Sequence, residues 1–202
     1  MDLTKDTYKT LQEPSTGQFK DRGSRFLAFA IPVESVDEIK GILAGLRKAH
    51  HGARHHCYAY RIGEGKENFR VNDDGEPSNS AGKPILGQIE SFGLSNILIV
   101  VVRYFGGTLL GVGGLINAYR TVAKEAILSG EIIEKHFTSD IYVCFPYPAL
   151  NEIMKQVKEN KADIVRQDFQ TECEMVIRVR SGFAEHLIGL LNRTEGVKAR
   201  LE

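Results

Sequence analysis

The stretch VVRYFGGTLLGVGGLINAYRTVAKEAI, Val101 to Ile127, places five glycines in nine positions (Gly106, Gly107, Gly111, Gly113 and Gly114) between an apolar run and a helical pattern. Upstream, NILIVVVRYF is apolar without alternation, the pattern of a strand covered on both faces. Downstream, Leu115, Tyr119, Val122 and Ala126 mark one helical face, while Asn117, Arg120, Thr121 and Lys124 mark another. A buried strand passing through glycines into a packed helix is therefore the organising unit. Neither standard nucleotide motif is present. A Walker A loop needs Lys and Ser/Thr where Val112 and Gly113 stand, and the dinucleotide fingerprint needs a glycine where Ile116 stands. Two readings remain open. The glycines present backbone N–H groups to an anion, aided by the helix dipole and by Arg103 or Arg120. Alternatively, they only allow positive φ and close packing of helix on sheet.

Working outward, a polar lead-in precedes SRFLAFAIPV, which reads as a strand. In ESVDEIKGILAGLRKAHHG, Ser35 and Glu38 have capping-box spacing, and Val36, Ile39, Leu43 and Leu46 form the apolar stripe of a helix that stops near Gly52. HHCYAYRIG is a second strand, expected to be half-buried, and NFRVNDDG runs into a turn at Asp74-Gly75. EPSNSAGKP is a loop before the short helix PILGQIESFG, and Gly130 is a candidate C-terminal cap for the helix after the glycines. From about Thr138 the pattern becomes β-α-β-β-α-β, the ferredoxin-like order, with Leu150, Ile153, Met154 and Val157 as a core stripe. An α+β protein of two domains is expected, residues 1–136 and 137–202.

Composition is that of a soluble globular protein: 202 residues, 42% hydrophobic and 26% charged. Its 26 basic and 26 acidic residues cancel, so any nucleic-acid site must be a local patch. Cys57, Cys144 and Cys173 form no CxxC pair, so neither a zinc ribbon nor a disulfide framework is indicated, which suits a reducing cytosol. The N-terminus lacks the apolar segment of a secretory signal, and the longest apolar run, Ile97 to Val102, falls far short of the ~20 residues that span a bilayer. A cytoplasmic protein without a membrane partner is expected, and the oligomeric state is left open.

Three further constellations carry possible chemistry. HHGARHHC offers His50, His51, His55, His56 and Cys57, but alternate residues of a strand point to opposite faces, so no metal site and no cofactor are expected. Cys57 with its neighbouring histidines is the one nucleophile–base pairing, and neighbours on one strand face are about 7 Å apart, too far for direct proton transfer. Asp73, Asp74 and Glu76 in DDGEP could serve acid/base or magnesium chemistry on a small phosphorylated or nucleotide-like ligand, or form a solvated turn.

Together, ARHHCYAYRIG, DDGEPSNSAGKPIL and VVVRYFGGTLLGVGGLINAY resemble the IMPACT family, in its bacterial, YigZ-like branch. The resemblance implies an N-terminal domain like the second domain of a small-subunit ribosomal protein, and a C-terminal domain similar to the last domain of elongation factor G. Its pattern falls on Ala53, His55 and Cys57, on Asp73 to Pro77 with Ala81, Gly82 and Pro84, and on Arg103 to Gly107 with Gly111. At Asn79-Ser80 many relatives have Gly and Thr instead. Eukaryotic relatives regulate translation. The expected function is therefore a non-enzymatic, translation-linked binding protein whose partner is RNA, the ribosome or a translation factor. The expected binding residues are Arg103, Tyr104, Phe105, Gly106, Gly107, Lys83, Arg120 and His55, with no catalytic residue; an enzyme using Asp73, Asp74 and Glu76 is the alternative.

Overall fold

The computed structural model describes residues 6–65, 68–169 and 173–202. The chain divides into two compact units, Tyr8–Lys135 and a second built from His136–Glu202 with the segment ending at Thr7.

The first unit holds strands β1 (Thr7–Leu11), β2 (Ser15–Asp21) and β3 (Ser24–Pro32), helix α1 (Val36–Ala49), strands β4 (His55–Arg61) and β5 (Phe69–Asn72), helix α2 (Gly82–Ser91), strand β6 (Ile97–Tyr104), helix α3 (Gly111–Leu128) and strand β7 (Ile132–His136). Five strands form one sheet in the order β2-β3-β6-β4-β5, and β1 pairs with β7 separately. The central strand β6 is buried from Ile97 to Arg103, as its unbroken apolar run requires. One face of the sheet packs Phe26, Ala28, Ile99 and Val101 against α2 and α3 through Ile85, Ile89, Tyr119 and Val122. The other packs Leu98, Val100 and Tyr58 beneath Ile39 of α1, whose Ser35 hydroxyl accepts the Glu38 N–H as the capping spacing demands.

Several expectations are corrected. The polar lead-in contains β1 and β2, and the segment after Gly130 contains β7. β2 gives no apolar alternation because its inward places are Ser15, Gly17 and Phe19. A side chain at Gly17 would meet the Ala126 nitrogen of α3 at 2.6 Å, so glycine there lets helix and edge strand close up. β4 is covered on both faces, with Cys57 and Ala59 in one core and Tyr58 in the other. Gly130 is not a left-handed cap: the helix ends at Leu128 with Ser129 as its C-cap, and a side chain at Gly130 would meet the Ser15 hydroxyl at 2.9 Å.

The second unit contains β8 (Thr138–Phe145), α4 (Leu150–Glu159), β9 (Asp163–Phe169), β10 (Cys173–Arg180), α5 (Ser181–Leu191) and β11 (Lys198–Leu201), with sheet order β11-β8-β10-β9 and antiparallel pairing throughout. Its core joins Ile141, Val143, Met175 and Ile177 to Ile153, Val157, Leu187 and Leu191, whereas Met154, expected in the stripe, is exposed. The Asp6 carboxylate accepts from the Arg180 side chain and from the Gly182 N–H at the start of α5. Among the described residues no helix is long and apolar enough to cross a membrane.

Candidate functional site

The acidic turn explains its own sequence. Asp74 (φ 43°) and Gly75 (φ 87°) both lie in the left-handed region, and the Glu76 N–H closes the turn on the Asp73 carbonyl at 2.9 Å. That geometry favours the Asp-Gly pair. The loop then returns to Asp73, whose carboxylate accepts from the N–H groups of Asn79, Ala81 and Gly82 at 2.8–3.0 Å. Asp73 thereby caps α2, whose own N-cap, Ala81, has no side-chain acceptor. Asn79 keeps a left-handed conformation at φ 64°, which asparagine tolerates best among residues with a side chain.

Asp74 points elsewhere. It accepts from Arg47 of α1 at 2.8 Å and from the His56 N–H at 2.7 Å. Burial opposes its ionisation, but these hydrogen bonds hold its carboxyl below the usual carboxylate range. His56 is buried beside it. Desolvation first, and the charge of Arg47 second, lower its pKa, and its Nε2 has no hydrogen-bond partner among the described residues.

Glu76 turns inward. Its Oε1 accepts from Arg103 at 2.7 Å and from the Tyr119 hydroxyl at 2.8 Å, with His55 Nε2 at 3.9 Å. Arg103 is carried there at the end of β6, opposite His55 of β4 and Phe26 of β3. The glutamate and arginine side chains are only 3% and 6% exposed, so this is a buried ion pair with a tyrosine as third member. Arg103 also donates to the Ser24 hydroxyl at 3.3 Å, and its guanidinium lies 5.6 Å from the centre of the half-exposed Phe105 ring. Cys57 adjoins the network, 3.0 Å from the Asp73 carbonyl and 3.3 Å from the Tyr119 hydroxyl. Burial pushes both the thiol and the phenol pKa well up, so neither ionises at neutral pH and Cys57 is a packed thiol rather than a nucleophile.

The structure thus unites Arg103, Glu76 and His55, which the sequence divides between two competing sites. Asp73, Asp74 and Glu76 have three separate sets of partners and do not converge on one point. Tyr104 takes the opposite face of the sheet, where its hydroxyl meets His50 Nδ1 at 2.9 Å. The Gly106 N–H is not free for an anion, because it donates to the Ser24 hydroxyl at 3.2 Å. A Cβ on Gly106 would lie 1.8 Å from the Gly23 carbonyl carbon, so this glycine permits two backbones to touch. Gly107 and Gly111 have positive φ and open surroundings. Lys83 and Arg120 stand exposed on α2 and α3, joined to the network by no hydrogen bond or ion pair among the described residues. Sequence reading missed Ser24 and the hydroxyl of Tyr119. A tyrosine on a packed helix face is a detectable signal, because a buried phenol requires a partner.

A two-unit α+β chain in which a buried arginine, an acidic turn and a glycine loop interlock is the class that fold and site define. The chain belongs to the IMPACT family. The Impact N-terminal domain matches residues 22–127, which include every member of the network. IMPACT family member YvyE of Bacillus subtilis is 30% identical over 95% of this chain and 90% of its own length, and IMPACT family member YigZ of Escherichia coli is 34% identical over 73% of each. A crystal structure described as that of a hypothetical protein superposes with a TM-score of 0.76 at 28% identity, covering 97% of this chain and 96% of the other.

Proposed function

We propose that this protein is a translation-linked, non-enzymatic regulator that acts in the cytoplasm by binding RNA, the ribosome or a translation factor. Family membership supports the link to translation. The division of labour in the acidic turn supports binding over catalysis, and it is the observation that carries the reading: Asp73, Asp74 and Glu76 each hold part of the framework, so none is a free acid or base. The proposed contact surface is the rim that this framework displays. It comprises Phe105, Gly106 and Gly107, with the exposed cations Lys83 and Arg120 on the adjoining helices and Arg103 and His55 beneath. Cations suit phosphate, and an aromatic ring suits an unstacked base.

We also propose residues 1–136 and 137–202 as the functional domains. The first would be like the second domain of a small-subunit ribosomal protein, and the second ferredoxin-like and similar to the last domain of elongation factor G. The β-α-β-β-α-β order and the strand order fourth, first, third, second support the latter. Pelleting of the full chain with purified bacterial ribosomes tests the function. The double variant Lys83→Glu/Arg120→Glu, which alters only exposed side chains, is expected to lose most of the association at low salt. Undiminished pelleting of that variant would remove this surface from consideration.

A further inference from the structure

The face of the sheet opposite the Glu76 network carries a second set of cations and rings. Thr16, Gln18 and Lys20 of β2 pair with Phe29, Leu27 and Arg25 of β3, and Arg25 pairs in turn with Tyr104 of β6. Paired residues in antiparallel strands share a face, so these side chains stand together, away from the core that holds Phe26, Ala28 and Ala30. Helix α1 covers the half of that face over β6 and β4; Leu27 and Phe29 lie outside its cluster and are only half-buried.

What remains uncovered is continuous. The Arg25 guanidinium sits 4.7 Å from the centre of the Tyr104 ring, the Tyr104 hydroxyl contacts His50, and the His50 ring lies 5.4 Å from Phe29. Beyond Phe29 opens a groove of about 420 Å³ along Thr16, Gln18 and Leu27. Arg54 immediately precedes β4, whose first residue, His55, pairs with Arg103, the neighbour of Tyr104 in the chain.

On the β2–β3 part of this face, outside α1, the charged side chains are Lys20 and Arg25, both cations. Lys20, Arg25 and Arg54 are exposed, and among the described residues none of them is in an ion pair. Asp21, the acid of β2, pairs with Ser24 on the other face, and Asp74 is held by Arg47 and the His56 N–H. In a chain of zero net charge this is a local excess of cations beside aromatic rings and an apolar-floored groove.

We propose that this β2–β3 face binds single-stranded RNA, with Lys20, Arg25 and Arg54 on successive phosphates and a base in the groove against Phe29 and Leu27. Unpaired strands offer both groups the face is built for, whereas a duplex hides its bases and an acidic peptide has no use for the rings. The choice of RNA over DNA rests on the translation-linked reading; the charge and ring arrangement does not.

Fluorescence anisotropy with a labelled twelve-nucleotide oligouridylate tests the proposal on the full chain. Wild type should bind at low salt, and the triple variant Lys20→Gln/Arg25→Gln/Arg54→Gln should bind about tenfold more weakly or worse. The slope of log affinity against log salt should become shallower by about 2, because each single-strand phosphate contact contributes about 0.7. Arg54→Gln alone, outside any strand, should give a smaller loss and guards against misfolding of the triple variant. Wild-type affinity in the triple variant would overturn the proposal, as would equal binding of a duplex or an oligoglutamate peptide. Ribosome pelleting by Lys83→Glu/Arg120→Glu reports on the other surface, so the two readings fail separately.

Discussion

Arg103 brings a charge to a place almost closed to water, and Glu76 makes that placement tolerable. Removing one member of such a pair leaves the other desolvated and unmatched. Glu76→Ala is therefore expected to lower unfolding free energy by about 3–5 kcal/mol. Tyr119→Phe, which deletes one neutral donor to the same oxygen, should cost only about 1 kcal/mol. Urea unfolding of both variants checks the order, and a wild-type midpoint for Glu76→Ala would contradict a buried pair. At this scale the sequence was half legible. Arg103, Asp73 and Glu76 stood out as residue types in motifs. Their assignment to one network did not, because Glu76 meets Arg103 and Tyr119 across 27 and 43 positions of chain, a distance closed only by strand register and helix packing.

Among the elements, the turn between β6 and α3 makes a sharp prediction about its glycines. Gly106→Ala should destabilise by more than about 3 kcal/mol, since its Cβ would fall inside the Gly23–Ser24 backbone. Gly113→Ala, in the open first turn of α3, should be neutral or stabilising by up to about 1 kcal/mol. Equal effects in thermal unfolding would show that these glycines are retained for some reason other than close approach. β6, α1 and α3 were readable because burial imposes an apolar run on the strand and a stripe on each helix. β1, β2 and β7 were not: β1 and β7 are five residues each, β7 is largely exposed, and β1 buries only Thr10 and Leu11 at its end. In β2 the inward places needed only a serine, a glycine and one phenylalanine. The anchoring of α2 was equally hidden, since its cap comes from Asp73, beyond the residues that sequence rules inspect.

At the scale of the whole molecule, charge is balanced in total and uneven in place. In the second unit, hydrogen bonds from Arg180 first hold the Asp6 carboxyl below its ordinary range, against the opposing effect of burial. A group with a depressed folded pKa contributes stability that is complete above its unfolded value and is lost as pH falls through the folded one. Asp6→Asn should thus be less stable by about 1–3 kcal/mol at neutral pH, with the gap closing below about pH 4. Melting curves that stay equally separated into acid would contradict this role.

The proposed function divides the labour: the family's motif residues build a framework, and binding takes place at the surface that it displays. A salt series of ribosome co-sedimentation tests this most directly. The full chain is expected to associate at low salt and to dissociate as salt rises, with a shallower dependence in Lys83→Glu/Arg120→Glu. No association at any salt, or association insensitive both to salt and to those substitutions, would contradict it.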